Sequence, residues 1–465
     1  VPLECAPPPE PLPMNEKREP TPLDPKSDAA EASRRQFLAT SALFAGAAAA
    51  LGAGCQSLGG GAASSSPVAA VKAGKRLPVK DGEPIRLGVI GVGGMGTGHL
   101  EGLLGTTAGG RENVQVVAIS DVAKPKLEGA VTRSAEAQKI QVDGYRNFHE
   151  LLARKDIHGV LIASPEHQHA PMSLAAIAAG KDVYCEKPFT FTIEEAFAVR
   201  KSVEASDLVF QVGTQHTMIP KYVEAKKLIA AGAIGKPTLT QTSYCRNSEK
   251  GEWLYDIDPK IAPGEMLDWD AWLGHLAPAK FDTEVYHRWR RYRRYSAGII
   301  GDLLVHQMTP LMMSLDVGWP VLVHGTGGHY VQKDMENQDQ VILTVQFEKE
   351  HTLIVAGSTC NELGLETIIR GHKGNLFLGA DNVVLRPERT FAEQVDEKTI
   401  VCAPMGDDQH ELRLNWMHCM RTREAVRSPV SLASQVMVIV DLGVRSLWDG
   451  KAYVFDPKTM QARVA

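Results

Sequence analysis

No two of the seven cysteines stand in CxxC spacing, which removes the usual signatures of a redox dithiol and of a clustered zinc site. Cys5 and Cys55 lie near the beginning of the chain, and Cys185, Cys245, Cys360, Cys402 and Cys419 are widely scattered. An odd, sparse set of this kind reads as buried thiols rather than as a disulfide framework. An excess of positive charge is also missing, since 50 Lys and Arg face 55 Asp and Glu for a net charge of -5. Nucleic acid and anionic membrane surfaces are therefore not expected as main partners, and a small molecule fits better. What is present is an ordinary globular composition, 44% hydrophobic and 23% charged over 465 residues, long enough for two domains.

Residues 1–54 read as a leader rather than as part of the fold. Pro-rich and charged text runs to Ser33-Arg34-Arg35-Gln36-Phe37-Leu38, and an Ala/Gly/Leu-rich stretch follows to Gly54. This is the pattern of a twin-arginine export signal, with the Tat machinery as a partner and the periplasm as the destination. The apolar stretch has only about 17 residues, against about 20 strongly apolar ones for a permanent span, so cleavage is expected. Cys55 stands where a bacterial lipoprotein carries its acylated cysteine. Gly52 occupies the place of the usual aliphatic residue, so lipid anchoring and soluble release both stay open. Residues 55–83, Gly/Ala/Ser-rich at their start, read as a linker.

From Ile85 the text alternates short β-branched runs with helical patterns. Strands are expected at Ile85 to Ile90, Val114 to Ile119, Val160 to Ala163, Val183 to Cys185 and Leu208 to Val212. Helices are expected after Gly94, at Lys124 to Gln138, at Pro171 to Ala179 and at Ile193 to Ala205. This is the grammar of an α/β doubly wound parallel sheet, a Rossmann-type domain over residues 84–213. After Gly213 longer alternating strands appear, at Thr238 to Tyr244, Val341 to Phe347 and His351 to Ala356, before a helix at Leu432 to Leu447. They imply a second α+β domain over residues 214–465 with a largely antiparallel open sheet.

Gly91-Val92-Gly93-Gly94-Met95-Gly96 follows the first strand and opens the first helix, the context in which a G-x-G-x-x-G turn cradles a dinucleotide pyrophosphate. Gly91 permits the tight turn, Gly93 admits the phosphates to the backbone, and Gly96 lets helix and strand pack closely. A plain glycine-rich turn is the alternative. Asp121 ends the second strand, where a carboxylate accepts the adenine-ribose hydroxyls and repels a 2′-phosphate; this favours NAD over NADP, although Lys124 and Lys126 are near. Asp121 as a helix cap is the competing reading.

Three further stretches fall at strand carboxyl ends, where open α/β sheets bind ligands: Ser164-Pro165-Glu166-His167-Gln168-His169, Cys185-Glu186-Lys187-Pro188 and Gln211-Val212-Gly213-Thr214-Gln215. Together with the glycine turn, this combination resembles the Gfo/Idh/MocA family, the glucose-fructose oxidoreductase and inositol dehydrogenase group. The resemblance covers roughly Ile85 to Asp456, and Glu186-Lys187-Pro188 is its most specific mark. It implies a second domain whose sheet meets the cofactor on one face and pairs subunits on the other, in a homo-oligomer of two or four chains. Ser164, Pro165, His169, Glu186, Lys187 and Gln215 then join Gly91, Gly93, Gly94, Met95, Gly96 and Asp121 as cofactor-site residues. Gly298 to His306 is similar to the family's glycine-led helix, with Asp302 and His306 four apart on one helical face. A structural pair pinned in the core is the alternative.

Oxidising a secondary alcohol requires a hydride acceptor and a base for the hydroxyl proton. His306 is the expected base, Asp302 is expected to orient its ring and favour its charged form, and Lys187 is expected to donate to the developing oxygen charge. The resemblance implies the same three positions. His167 and His169 lack a third ligand at convincing spacing, so no metal is expected. The resemblance implies a sugar, cyclitol or glycoside as substrate, and Trp253, Tyr255, Tyr286 and Trp289 permit one. The basic and aromatic run Tyr286 to Tyr295 reads equally as cleft wall or as a solvated or subunit-contacting loop. Leu267 to Gly274 and Asn415-Trp416-Met417 read as structural.

Two other functions compete. One is a glycoside-cleaving enzyme that oxidises, eliminates and re-reduces with NAD retained, as in the related exported N-acetylgalactosaminidases; their Glu-Val-Pro where this chain has Glu186-Lys187-Pro188 argues against it. The other is a non-catalytic sugar-binding protein with a vestigial Rossmann domain. Because a twin-arginine leader implies export of an already folded protein, the NAD is expected to travel with it, tightly held.

Overall fold

A computed structural model describes residues 68–465. The leader, Cys55 and the first part of the expected linker lie outside the described residues. Residues 68–83 form no helix or strand, yet they are laid against the first domain: Val71 N donates to Ser202 Oγ at 2.9 Å and Gly74 N to Ile177 O at 3.0 Å. Val68, Val71 and Val79 pack partly buried on the hydrophobic core.

The first sheet holds six strands, β1 (Ile85–Ile90), β2 (Val114–Ser120), β3 (Asp143–Tyr145), β4 (Gly159–Ile162), β5 (Asp182–Glu186) and β6 (Phe210–Gly213), in the order β3-β2-β1-β4-β5-β6. Every neighbouring pair is parallel. Helices α1 (Gly94–Ala108), α2 (Lys124–Gln138), α3 (Phe148–Ala153), α4 (His169–Ala178) and α5 (Ile193–Glu204) connect them. β4 and β5 are buried along their whole lengths, which is why β4 and the middle of β5, 183–185, read as apolar runs with no alternation. The strand order reverses between β1 and β4, and at such a point the βα loops diverge and leave a crevice at the carboxyl ends.

Helix α6 (Pro220–Ala230) leads to the second domain. Strand β7 (Pro237–Cys245) precedes two short helices, α7 (Trp269–Leu273) and α8 (Thr283–His287), and then the longer α9 (Val305–Leu315). Strands β8 (Pro320–Gly328), β9 (Gln340–Phe347), β10 (His351–Ser358), β11 (Ile368–Gly371), β12 (Gly374–Leu378), β13 (Asn382–Pro387) and β14 (Lys398–Val401) follow. Helices α10 (Asp408–Thr422) and α11 (Val430–Asp449) and strands β15 (Tyr453–Asp456) and β16 (Gln461–Val464) end the chain. The ten strands run β14-β13-β12-β11-β7-β10-β9-β8-β15-β16 and pair antiparallel, except that β7 and β10 are parallel. In β9 the residues Val341, Leu343, Val345 and Phe347 are buried while those between them face outward, so one face of the sheet is covered. α11 forms part of that cover, wedged between β8 and α5 of the first domain. α10 crosses back to the parallel sheet, where Leu412, Trp416, Met417 and Met420 share one core with Ile85, Leu87, Leu100 and Leu103.

Candidate active site

A cleft of about 540 Å³ opens at the carboxyl ends of β1, β2, β4 and β5. Gly91, Gly93, Gly94 and Met95 line it, as do Asp121, Ser164, Pro165, His169, Glu186 and Lys187. Gly91 has φ +85°, and a side chain on Gly96 would place its Cβ 1.9 Å from the Gly91 carbonyl oxygen, so the turn closes only with glycine at both positions. A Cβ on Gly93 or Gly94 would meet nothing within 4 Å, and the first turn of α1 has neither a side-chain cap nor an acidic residue. An open helix start of this kind, with its N–H groups unsatisfied, suits a pyrophosphate. Asp121 is held by Val92 N on Oδ2 and Ala123 N on Oδ1, each at 2.8 Å. Burial raises its pKa from the ordinary carboxylate value, and the Lys126 charge opposes the rise. The residues therefore fit a dinucleotide on both counts, an open phosphate cradle and a fixed carboxylate at the ribose end. His169 bonds the carbonyls of Pro188 at 2.7 Å and Ser164 at 2.9 Å, which locks the β4 and β5 loops together.

Leu267 to Gly274 were expected to be structural, yet with Glu265 and Met266 they form a segment that is part of the site. Asp268, Asp270, Ala271, Trp272 and Gly274 line the cleft from the second domain. Backbone bonds from Lys124 N to Met266 O at 2.9 Å and from Asp268 N to Val122 O at 3.0 Å pin it to the β2 loop. Arg146 adds bonds to the carbonyls of Glu265 and Val122, and Lys124 pairs with Glu265. The segment is a strap across the cleft. Tyr286, Trp289 and Arg290 also stand in the wall, which settles the basic and aromatic run as cleft lining over those residues.

The structure brings Lys187 and Asp302 together. Lys187 Nζ donates to Asp302 Oδ1 and to the Asp302 carbonyl, both at 2.9 Å; Arg290 Nε donates to Oδ1 at 3.0 Å and Trp253 Nε1 to Oδ2 at 3.2 Å. Burial alone would raise the Asp302 pKa, but Lys187 and Arg290 outweigh it and hold the carboxyl well below its ordinary range. Asp302 does favour the charged form of His306 by its own charge, but burial outweighs that and the expected orienting hydrogen bond is not made. Residues Ile300–Leu304 form a π-helical turn ahead of α9, and among the described residues no hydrogen bond joins Asp302 to the His306 ring. Burial, with the Lys187 and His216 charges, pushes the His306 pKa well below the imidazole value. His306 Nδ1 is buried without a partner, and its ring centroid lies 5.0 Å from that of His216, whose Nδ1 bonds the His306 carbonyl at 3.0 Å. Lys187 lines the cleft, and Asp302 and His306 are buried.

Two expected cofactor residues play other parts. Gln215 begins a short 3-10 turn after β6, does not line the cleft, and has a buried, unpartnered Oε1. Glu186 does line it, but its Oε1 takes a 2.7 Å bond from His99 Nε2, and His99 Nδ1 in turn lies 3.2 Å from Arg413 Nη1. His99 and Arg413 were not foreseen. Their only sequence signal is a histidine on the apolar face of α1 beside Leu100 and Leu103, since Arg413 arrives from more than 300 residues away. Glu166 is the other omission. Its carboxyl accepts from Ser296 Oγ at 2.6 Å and from Ala297 N at 2.8 Å, fastening the β4 loop to the start of the Asp302 helix, and burial pushes its pKa up to about 7. His167 Nε2 bonds Trp272 O at 2.8 Å, and among the described residues no three or more His, Cys, Asp or Glu come together as a metal site would need.

Residues 85–214 match the model of an oxidoreductase family described as an NAD-binding Rossmann fold, and residues 273–454 match its C-terminal alpha/beta domain. An inositol 2-dehydrogenase of Burkholderia lata is 34% identical over 258 residues, 55% of this chain and 73% of that protein. The chain belongs to the Gfo/Idh/MocA oxidoreductase family. The family's NAD-binding domain is the one whose cleft is described above. Inositol 2-dehydrogenase 1 of Saccharopolyspora erythraea is 32% identical, covering 54% of this chain and 71% of its own length. The match to the Salmonella paratyphi B inositol 2-dehydrogenase, 29% identical, spans 48% of that protein, about half. Levoglucosan dehydrogenase in complex with NADH and levoglucosan shares the fold, with a TM-score of 0.61 at 20% identity over 80% of this chain and 99% of that one.

Proposed function

We propose that this Gfo/Idh/MocA protein transfers a hydride between NAD and a secondary alcohol of a sugar, cyclitol or glycoside, and that it holds its NAD tightly. The observation that carries the reading is Lys187 in the cleft wall, its ammonium fixed on Asp302, with a neutral, buried His306 one turn beyond. Bound NAD supplies the hydride acceptor. Lys187 donates a hydrogen bond to the substrate oxygen as negative charge grows on it. A histidine kept neutral by burial is free to take the hydroxyl proton at neutral pH. Asp302 keeps the Lys187 ammonium in place. The named activities of the relatives, on inositol and levoglucosan, support polyols and anhydrosugars as the first substrates to try.

The strap supports retention, because segment 265–274 must leave its backbone bonds to Lys124 and Val122 before the cleft can open widely. Purified protein incubated with inositols, anhydrosugars and hexoses should change nicotinamide absorbance in one direction or the other. No change with the whole panel, in either direction, would sink the reading. Loss of dinucleotide on a single gel filtration would remove the tight-holding part alone.

A further inference from the structure

We infer that the substrate carries a carboxylate and that the guanidinium of Arg290 receives it. The inference deepens the oxidoreductase reading and rests on it.

Arg290 shares the cleft wall with Lys187 and Trp289. Its position is fixed at three points. Its Nε donates to Asp302 Oδ1 at 3.0 Å, its carbonyl accepts from Asn337 Nδ2 at 2.9 Å, and its guanidinium carbon lies 4.2 Å from the centre of the Trp289 ring. Among the described residues Nη1 and Nη2 make no hydrogen bond. An arginine therefore stands beside Lys187 with its guanidinium over the Trp289 ring and its terminal donors unused.

Lys187 and Arg290 both converge on the Asp302 carboxylate, and Glu186, beside Lys187, is taken up by His99. Glu166 is turned to Ser296 and Ala297, and with its pKa pushed up to about 7 it is partly protonated at neutral pH. Arg246, a third cation near Asp302, is occupied by Glu252 at 3.3 Å and the Tyr244 hydroxyl at 3.1 Å. A neutral polyol hydroxyl both donates and accepts, whereas a guanidinium only donates, so spare arginine donors match an acceptor-only group. A planar carboxylate takes two parallel N–H bonds from such a fork. The chemical class is a sugar acid, a uronate or aldonate, with its alcohol presented to Lys187.

The test uses the NAD-loaded protein with matched pairs that differ only in the acid group, D-glucuronate against D-glucose and D-galacturonate against D-galactose. Titration calorimetry should give the acids at least about tenfold tighter binding than the neutral sugars, weakening as salt is raised. Arg290→Gln should erase that ratio and Arg290→Lys should keep part of it, with thermal melting confirming that both variants fold. The ratio is the readout because both variants also disturb Asp302. Equal binding of acid and neutral sugar, or an equal loss of both in Arg290→Gln, overturns the inference. Neutral sugars oxidised with no preference for acids overturn it while leaving the oxidoreductase reading intact. Acids bound through Arg290 with no reduction of NAD support the anion site and count against the oxidation.

Discussion

Lys187 Nζ stands 2.9 Å from both the Oδ1 and the backbone carbonyl of Asp302, so a side chain from the parallel sheet closes on two acceptors of one residue in the second domain. Charge, orientation and domain contact meet in that pair, and removing either member alone strands the other in a buried place.

Replacing Lys187 with Met should lower kcat by about 10²- to 10³-fold, the usual effect of losing one donor to a developing oxyanion. NAD binding, followed by quenching of protein fluorescence, should stay near wild type. A variant with unimpaired kcat would show that Lys187 is only a structural tie.

The acid limb of kcat/KM should fall below pH 6.5. His306 in the folded protein has a pKa well below the imidazole value of 6.5, so it remains an available base as the pH drops through that value. His306→Gln should lower the rate throughout and remove the limb. A limb centred above pH 7 in the wild type would show that His306 is not the titrating base.

Glu166 gives a stability test with a definite sign. Its folded pKa of about 7 lies above the ordinary 4.5, so between these values the native state binds a proton that the unfolded state does not. Its contribution is therefore fully present below pH 4.5 and is lost as pH rises through 7. Glu166→Gln, which cannot ionise, should gain stability relative to wild type as pH is raised from 5 to 8 in thermal melts. A constant difference between the two proteins would contradict the assignment.

Gly96→Ala should impair dinucleotide binding and stability together. The added Cβ would lie 1.9 Å from the Gly91 oxygen, a backbone atom, so the phosphate turn itself must shift. Overpacking of this kind typically costs about 1–3 kcal/mol. Normal NAD affinity with a wild-type melting temperature would mean the turn is looser than its geometry indicates.

The first domain was readable because buried parallel strands print long apolar runs bounded by glycine and acidic turns: β1 and α2 begin and end where the text places them. β3 was not, since Asp143–Tyr145 has three residues and no fully buried one. Spacing alone suggested a shared face for Asp302 and His306, but it could not foresee the π-helical turn or the competing claims of Lys187, Arg290 and Trp253 on the carboxylate. The strap, the His99–Glu186 pair and the Glu166 fastening depend on contacts between residues more than 80 positions apart. No local pattern records such pairings. Length and hydrophobicity announce a helix at α10, yet they say nothing about which sheet it will cover.

That crossing by α10 sets the order in which a growing chain can finish folding. When the ribosome has made residue 214, all six parallel strands exist, but Leu412, Trp416, Met417 and Met420, which roof Ile85 and Leu87, have not been synthesised. Until about 200 further residues have emerged, that apolar seam stays uncovered, and nascent chains stalled in this interval are the ones most in need of a chaperone.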